Sequence, residues 1–464
     1  MTSNRLHHAR SIAVSDAISA AQAPRLRVCD VNDFLSATGG GVRRYHLEKL
    51  AFFSKRDDVD YHLIVPSDRD ATEKHGNATI HHVPAPQLGT SGYRMLTNPT
   101  RLRRTLRAIR PDVVEVGSPY LTPDQVRFAL DGLDCRVVGF WHAHYPVAYM
   151  RQPVSKISPA LGKLAEKLGW WWARRTYGRF DATLVAADCL VDALKGAGFD
   201  DVVRTPLGVD LELFTPRKRD TALRASWGAG DDDIVLAFPH RLCREKHLGA
   251  LLEAIDRLHA QGREPFVVFA GAGPGRDEVE ALAAAHARIH YLGYIEQRAE
   301  MARLLASVDV VASLSKTETF GLSTVEAMAS GAAIIGADHL ALSGLLHESR
   351  AGIAISEIDG ESVASAWDEL LAPGRAALLG ARGHAFAMAN YSWRTTFERI
   401  LGVYRRVTAT EPRGFRAPEA TSGRVPRATP RTTWGPSIGA LLDGEGEKHV
   451  AFPRRTASSS QVAR

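Results

Sequence analysis

The sequence predicts an α/β protein made of two doubly wound domains, each a parallel sheet covered by helices. Three observations lead there. Short β-rich apolar runs alternate with helical stretches. The runs fall into two series. A stretch punctuated by Pro206 and Pro216, TPLGVDLELFTP from Thr205, separates the series. A chain of 464 residues, 45% hydrophobic and 24% charged, has the material for two cores.

Residues 1–24 begin basic, but Asp16 interrupts their one apolar run, so they read as a disordered leader rather than a secretory signal. The first domain is expected over residues 25–207. Its runs are RLRVCDV from Arg25, YHLIVPS from Tyr61, DVVEVGS from Asp112, CRVVGFWH from Cys135 and DATLVAA from Asp181, with helical stretches such as VRRYHLEKLAFFS after Gly41. The second domain, residues 208–390, carries DIVLAFPHR from Asp233, FVVFAGAG from Phe266, IHYLGY from Ile289, VDVVASLS from Val308 and AAIIGAD from Ala332. Residues 391–407 are expected as a separate segment after the second domain. From Thr408 to Arg464 the chain turns rich in Pro, Gly, Ser, Thr and Arg, and a disordered basic tail is expected.

Composition excludes several classes. No run approaches the ~18 apolar residues of a membrane-spanning helix. Cys29, Cys135, Cys189 and Cys243 are dispersed without a C-x-x-C pair, which argues against a zinc site or disulfide framework and fits a reduced cytoplasm. The net charge of +6 favours anionic partners, yet no nucleic-acid-binding motif is present. The D-x-D within Asp231–Asp233 precedes a strand rather than following one, so it reads as a solvated turn.

The most informative segment is KTETFGLSTVEAMASG, from Lys316 to Gly331. Glu318 falls on the loop outside a strand's carboxyl end, where ligands bind in open α/β sheets. Ser323 reads as the N-cap of the following helix and Gly331 as its stop. The Gly321, Leu322 and Ser323 amides then form a phosphate cradle at a helix start. Ser323 and Glu326 also match a capping box, the purely structural alternative for Glu326.

A second constellation is FPHRLCREKHLGALLEAI from Phe238. Arg241 is expected to end a strand and Lys246 to start a helix, so both reach one strand end. Two fixed cations there stabilise an anionic leaving group; solvated surface cations are the alternative. Gly39, Gly40 and Gly41 follow one strand and precede a helix, allowing close backbone approach to an anion or sugar. In GFWHAHYP from Gly139, His142 and His144 alternate at another strand end; without a third ligand they make a poor zinc site.

Taken together, these segments resemble the retaining glycosyltransferases of family four, whose GT-B fold sets two Rossmann-like domains about a central cleft. The resemblance runs from about Arg25 to Val407 and is strongest in the second half. It implies that Glu318 holds donor sugar hydroxyls, that Glu326 holds the nucleotide ribose, and that the backbone of Phe320, Gly321, Leu322 and Ser323 meets the hexose and diphosphate. Arg241 and Lys246 then bind the diphosphate, Gly40 and Gly41 face the reacting centre, and His142 contacts the transferred sugar. Gly273, in FAGAGPGRDEVEALA from Phe269, matches an element near the nucleotide base, and residues 391–407 the helix that crosses back to the first domain. Departures are Leu207 for asparagine, His144 for an acid, His240 for glycine and Leu314 for proline.

The implied activity is transfer of a hexose from a nucleotide sugar to a glycan, lipid or small-molecule acceptor, needing neither metal nor bound cofactor. GGGVRRY and EVGSPYL look most like the GDP-mannose-dependent mannosyltransferases, with UDP-glucose as the other donor considered. The alternatives are a nucleotide-sugar epimerase of the same fold and a nicotinamide-dependent oxidoreductase. The latter is disfavoured because Gly275 misplaces the third glycine of the dinucleotide fingerprint. Finally, KISPALGKLAEKLGWWWARR from Lys156 puts Ile157, Leu161, Leu164, Leu168 and Trp171 on one face of a basic helix. The ordinary expectation packs that face onto the first domain's sheet. The alternative lays it on the anionic inner face of a membrane as a peripheral contact. Basic RLRRTLRAIR from Arg101 poses the same choice.

Overall fold

The computed structural model describes residues 25–33, 40–87 and 93–410; the expected leader, Gly39 and nearly all of the expected tail lie outside the described residues. Two sheets account for the core. The first has the order β3-β4-β2-β1-β5-β6-β7-β8. Its strands are β1 (Leu26–Val31), β2 (Val59–Ser67), β3 (Ala71–His75), β4 (Ala78–Pro84), β5 (Val113–Val116), β6 (Arg136–Trp141), β7 (Ala182–Val185) and β8 (Val202–Arg204). All neighbours run parallel except β3, antiparallel to β4 at the edge. The second sheet has the order β11-β10-β9-β12-β13-β14, with every pair parallel. Its strands are β9 (Val235–Phe238), β10 (Phe266–Phe269), β11 (Ile289–Tyr291), β12 (Val310–Ser313), β13 (Ala333–Ala337) and β14 (Gly352–Ile355).

The central strands are short, apolar and buried along their whole length, as sheets covered on both faces require. The helices used below are α1 (Gly41–Phe53), α2 (Pro99–Ile109), α3 (Thr122–Leu130), α4 (Pro159–Thr176), α5 (Asp188–Gly196), α6 (Leu248–Ala260), α7 (Arg276–Ala285), α8 (Arg298–Ser307) and α9 (Leu322–Ala329). Further along the chain lie α10 (Leu340–Ser349), α11 (Gly360–Leu370), α12 (Arg375–Asn390) and α13 (Trp393–Thr408).

Helix α13 follows the second sheet but packs on the first. Phe397 lies against Phe52 and Phe53, and Tyr404 reaches a buried polar knot. There Lys49 bonds both Asp30 oxygens at 2.9 and 2.8 Å, pairs with Glu115 at 3.0 Å and donates to the Tyr404 hydroxyl. Burial works to raise Asp30, but Lys49 and His46 hold its carboxyl below the usual range, while burial pushes Glu115 up. Such a cluster survives in an apolar interior only because each charge is paired and hydrogen-bonded.

Helix α4 overturns the packing expected of its apolar face. Its buried residues are Gly162, Gly169, Ala173 and Thr176, which lie against the helical segment Pro146–Arg151 and its flank. A Cβ on Gly169 would meet the Met150 sulfur and Pro146. Small residues therefore face inward, and Ile157 at 83% exposure leads a stripe of Leu161, Leu164, Leu168 and Trp171 in solvent. By contrast α2 buries Leu102, Leu106 and Ile109 beneath its arginines, so there the packing expectation fits. Among the described residues no helix is long and apolar enough to cross a membrane, and all four cysteines are unpaired.

Candidate active site

In each sheet the chain crosses once from one side of the first strand to the other, which makes the neighbours β1 and β5 in the first sheet and β9 and β12 in the second the points where the strand order switches. These are the switch points where ligands lodge beyond the strand ends. The candidate residues gather at these ends or at neighbouring ones. Gly40 caps α1 after β1, Gly117 follows β5 and His142 follows β6. Arg241 and Lys246 follow β9, and Glu318 follows β12.

Strand β9 stops at Phe238, so Arg241 stands three residues past the strand rather than ending it, and it is exposed. Lys246 closes a one-turn 3-10 segment, Arg244–Lys246, and does not begin a helix. The chain passes through left-handed His247 (φ 53°) before α6 starts at Leu248. From that turn the Lys246 ammonium meets Glu318 Oε1, with the two side chains 23% and 20% exposed. Buried His240 adjoins the pair. Burial and then Lys246 lower its pKa to about 4 against the opposing pull of Glu318, so it is neutral. Gly273 serves this loop through space: any Cβ there would run into the Leu242 carbonyl. Hydrogen bonds Leu242 N to Ala272 O (3.0 Å) and Gly275 N to Leu242 O (2.9 Å) fasten the two loops.

The cap of α9 differs from the sequence expectation. Gly321, left-handed at φ 83°, is the N-cap, the helix begins at Leu322, and Ser323 makes no side-chain cap. A left-handed backbone favours glycine there, and an added Cβ would press on Leu342. The capping box is thereby lost, and Glu326 instead pairs with Arg298 Nη1 at 3.3 Å. Arg44, from α1, also lies within its electrostatic reach. Burial dominates nonetheless and pushes the Glu326 carboxyl up to about 7. Phe320 is buried edge-on to Tyr391, and Gly331 (φ 89°) follows the helix's last residues as expected.

The facing wall belongs to the first sheet. The Thr319 hydroxyl donates to the His142 carbonyl at 3.1 Å, and Leu322 is in van der Waals range of the Cβ position of Gly41. The Glu318–Leu322 loop thus touches both the glycine turn and the histidine. The strand does not persist past Trp141, so His142 and His144 part company. His142 stacks on Phe140 at 4.3 Å; burial, His46 and Lys49 drive its pKa well below 6.5. Its Nε2 is buried without a hydrogen-bond partner. His144 is buried beside Trp170, where burial lowers it to about 4.

Sequence reasoning passed over Arg298, Arg44 and Thr319, for which no motif spacing speaks; contact across the fold alone identifies them. Among the described residues, the metal-type cluster is His259, Glu264 and His286. It sits at the far end of α6 from Lys246, roughly 17 Å along the helix. The loops and helix first turns gathered here offer one acid paired with lysine, one acid paired with arginine, a neutral histidine and a helix start, an arrangement suited to gripping an anion beside a polyol.

Comparison with known proteins agrees. Residues 39–213 match the family model "Glycosyltransferase Family 4", and residues 219–377 match "Glycosyl transferases group 1". A GDP-mannose-dependent alpha-(1-6)-phosphatidylinositol dimannoside mannosyltransferase of Mycobacterium tuberculosis is 30% identical over 319 residues, which is 66% of this chain and 78% of that protein. Among solved structures, a sucrose-phosphate synthase from Thermosynechococcus elongatus superposes with TM-score 0.63 at 16% identity, over 83% of this chain and all of the other. An Anabaena protein in complex with UDP-glucose gives TM-score 0.61 at 16% identity, over 82% and 100%.

Proposed function

Because the chain belongs to the glycosyltransferases of family four, we propose that it transfers mannose from GDP-mannose, with retention and without a metal ion, to a lipid-borne glycan. It is a hexosyltransferase, not an epimerase or an oxidoreductase. The observation that carries the proposal is the meeting of Lys246 and Glu318 on a loop whose next residue, Thr319, is bonded to the His142 carbonyl. Their pairing is a placeholder: a donor diphosphate takes the ammonium, and the released carboxylate then binds hexose hydroxyls. As the bond from C1 to the diphosphate breaks, Arg241, Lys246 and the start of α9 stabilise the charge that develops. The acceptor oxygen bonds to C1 on the same face, and its proton passes to the departing phosphate oxygen. Neutral His142 donates to, or accepts from, a sugar hydroxyl.

The acceptor reading rests on α4. Five large apolar side chains in solvent, flanked by Lys156, Lys163, Lys167 and Arg174, suit a helix lying on an anionic membrane surface. The chain then works as a peripheral enzyme at the inner face of the membrane. To test the transfer, GDP-mannose and UDP-glucose are supplied separately with membrane extract as acceptor source, and the products and their anomeric configuration are analysed. Wild-type-like turnover by Glu318→Ala would overturn the assignment.

A further inference from the structure

Among the described residues, His259, Glu264 and His286 bring potential metal ligands together away from the transfer centre, their ligand atoms all within 4.8 Å of one another. We infer that these three side chains bind a zinc ion, which staples α6 to the entries of β10 and β11. The ion takes no part in transfer. It fastens the second domain at the amino ends of its strands, whereas Lys246 and Glu318 stand beyond the carboxyl ends.

The topology gathers the three residues. His259 lies in the last turn of α6, Glu264 two residues before β10, and His286 at the carboxyl end of α7, three residues before β11. Strands β10 and β11 are parallel neighbours with Val267 opposite Ile289, so their entries lie side by side. There the His259 and His286 rings stack with centroids 3.9 Å apart.

Three observations point to a cation, and to zinc among cations. First, the carboxyl ends of α6 and α7 both meet the cluster, and helix ends of that polarity carry partial negative charge. Glu264 adds a carboxylate, and Asp256, one turn back on α6, also acts on His259. The nearby guanidiniums are engaged elsewhere, Arg263 with Asp368 and Arg288 with Asp233. Second, the side chains are available. Among the described residues none of the three has a hydrogen-bond or ion-pair partner, and His259 Nε2 is buried in that state. Burial, and then His286, lower the His259 pKa, so its ring is neutral, the form that binds metal. Third, two imidazoles and one carboxylate suit zinc, with water in the fourth position, whereas magnesium and calcium take oxygen ligands. Zinc bonds of about 2.0–2.1 Å set tetrahedral ligand atoms about 3.4 Å apart, so the cluster closes by about 1 Å on binding. Zinc lies in the plane of each imidazole it binds, so half-buried His286 turns off the stack as the ion enters.

The test uses the full-length protein, freed of any affinity tag and stripped of metal with a chelator. Zinc chloride is titrated by calorimetry at neutral pH, with magnesium chloride as the control, and thermal unfolding is followed with each salt and with neither. We expect micromolar zinc binding and a melting temperature that rises with zinc but not with magnesium. His286→Ala and Glu264→Gln lie outside the transfer centre, and each should weaken zinc binding at least tenfold and cancel that rise. Without zinc, both variants should melt as the native chain does, which checks the fold. A melting temperature that ignores zinc, an equal rise with magnesium, or native zinc affinity in either variant overturns the inference. Zinc held by histidines elsewhere in the chain would survive both substitutions and so count against it.

Discussion

The Thr319 hydroxyl donates to the main-chain carbonyl of His142 across 3.1 Å, joining the loop that carries Glu318 to the loop that carries His142. A hydrogen bond of this kind contributes on the order of 1 kcal/mol net. Thr319→Val keeps the shape and removes the donor. Steady-state kinetics should show turnover reduced about fivefold, the equivalent of that energy, with the melting temperature nearly unchanged. Native turnover in the variant would mean that the two loops need no such tie.

Lys246 and Glu318 neutralise each other, so their single variants should part company. Lys246→Met removes the phosphate partner, and GDP affinity measured by calorimetry should fall at least tenfold. Glu318→Gln leaves the ammonium unpaired and available to phosphate, so GDP binding should hold or improve while transfer collapses. Equal losses of GDP affinity in both would count against separate duties for the two groups.

Glu326 gives a pH signature with a defined sign. Its folded pKa, raised to about 7 by burial, exceeds the ordinary 4.5. The protonated carboxyl therefore favours the fold; its contribution is fully present below about pH 4.5 and is lost as pH rises through 7. The shift corresponds to on the order of 3 kcal/mol. Glu326→Gln never ionises, so above pH 7 it should be more stable than the native chain, and the difference should close toward pH 5. Denaturant unfolding at both ends of that range checks this; a constant difference would contradict the assignment.

On α4, Leu164 and Leu168 stand 53% and 52% exposed. Replacing both with glutamate should leave stability within about 0.5 kcal/mol for each surface site while abolishing co-sedimentation with vesicles containing phosphatidylglycerol. Undiminished binding would remove this helix as the membrane contact.

Much of this architecture was legible in the sequence because buried parallel strands write themselves as apolar runs. All ten expected runs became strands. The strands that escaped notice are β3, β4, β8 and β14. Edge strand β3 (ATEKH) has no apolar content to signal it, and the other three are partly exposed. The site was legible where glycines and charges clustered near strand ends. It was misread at Ser323, because a side chain able to cap competes with a left-handed glycine two residues earlier, and the glycine prevailed. The orientation of α4 was missed for a related reason. Hydrophobic periodicity marks a face but not its partner, and the glycines at 162 and 169 were the signal that the opposite face lies inside.

The chain passes between the two sheets twice, at Thr205–Pro216 and just before α13, and these passages touch. Val209 N bonds Tyr391 O at 2.9 Å, Val209 bridges Ser392, and Gly208 is so close to the Trp393 backbone that no side chain fits between them. The two crossings are thus packed backbone against backbone, and a single methyl group introduced as Gly208→Ala would force them apart. A position outside the candidate site thereby governs how the linker and α13 fit together.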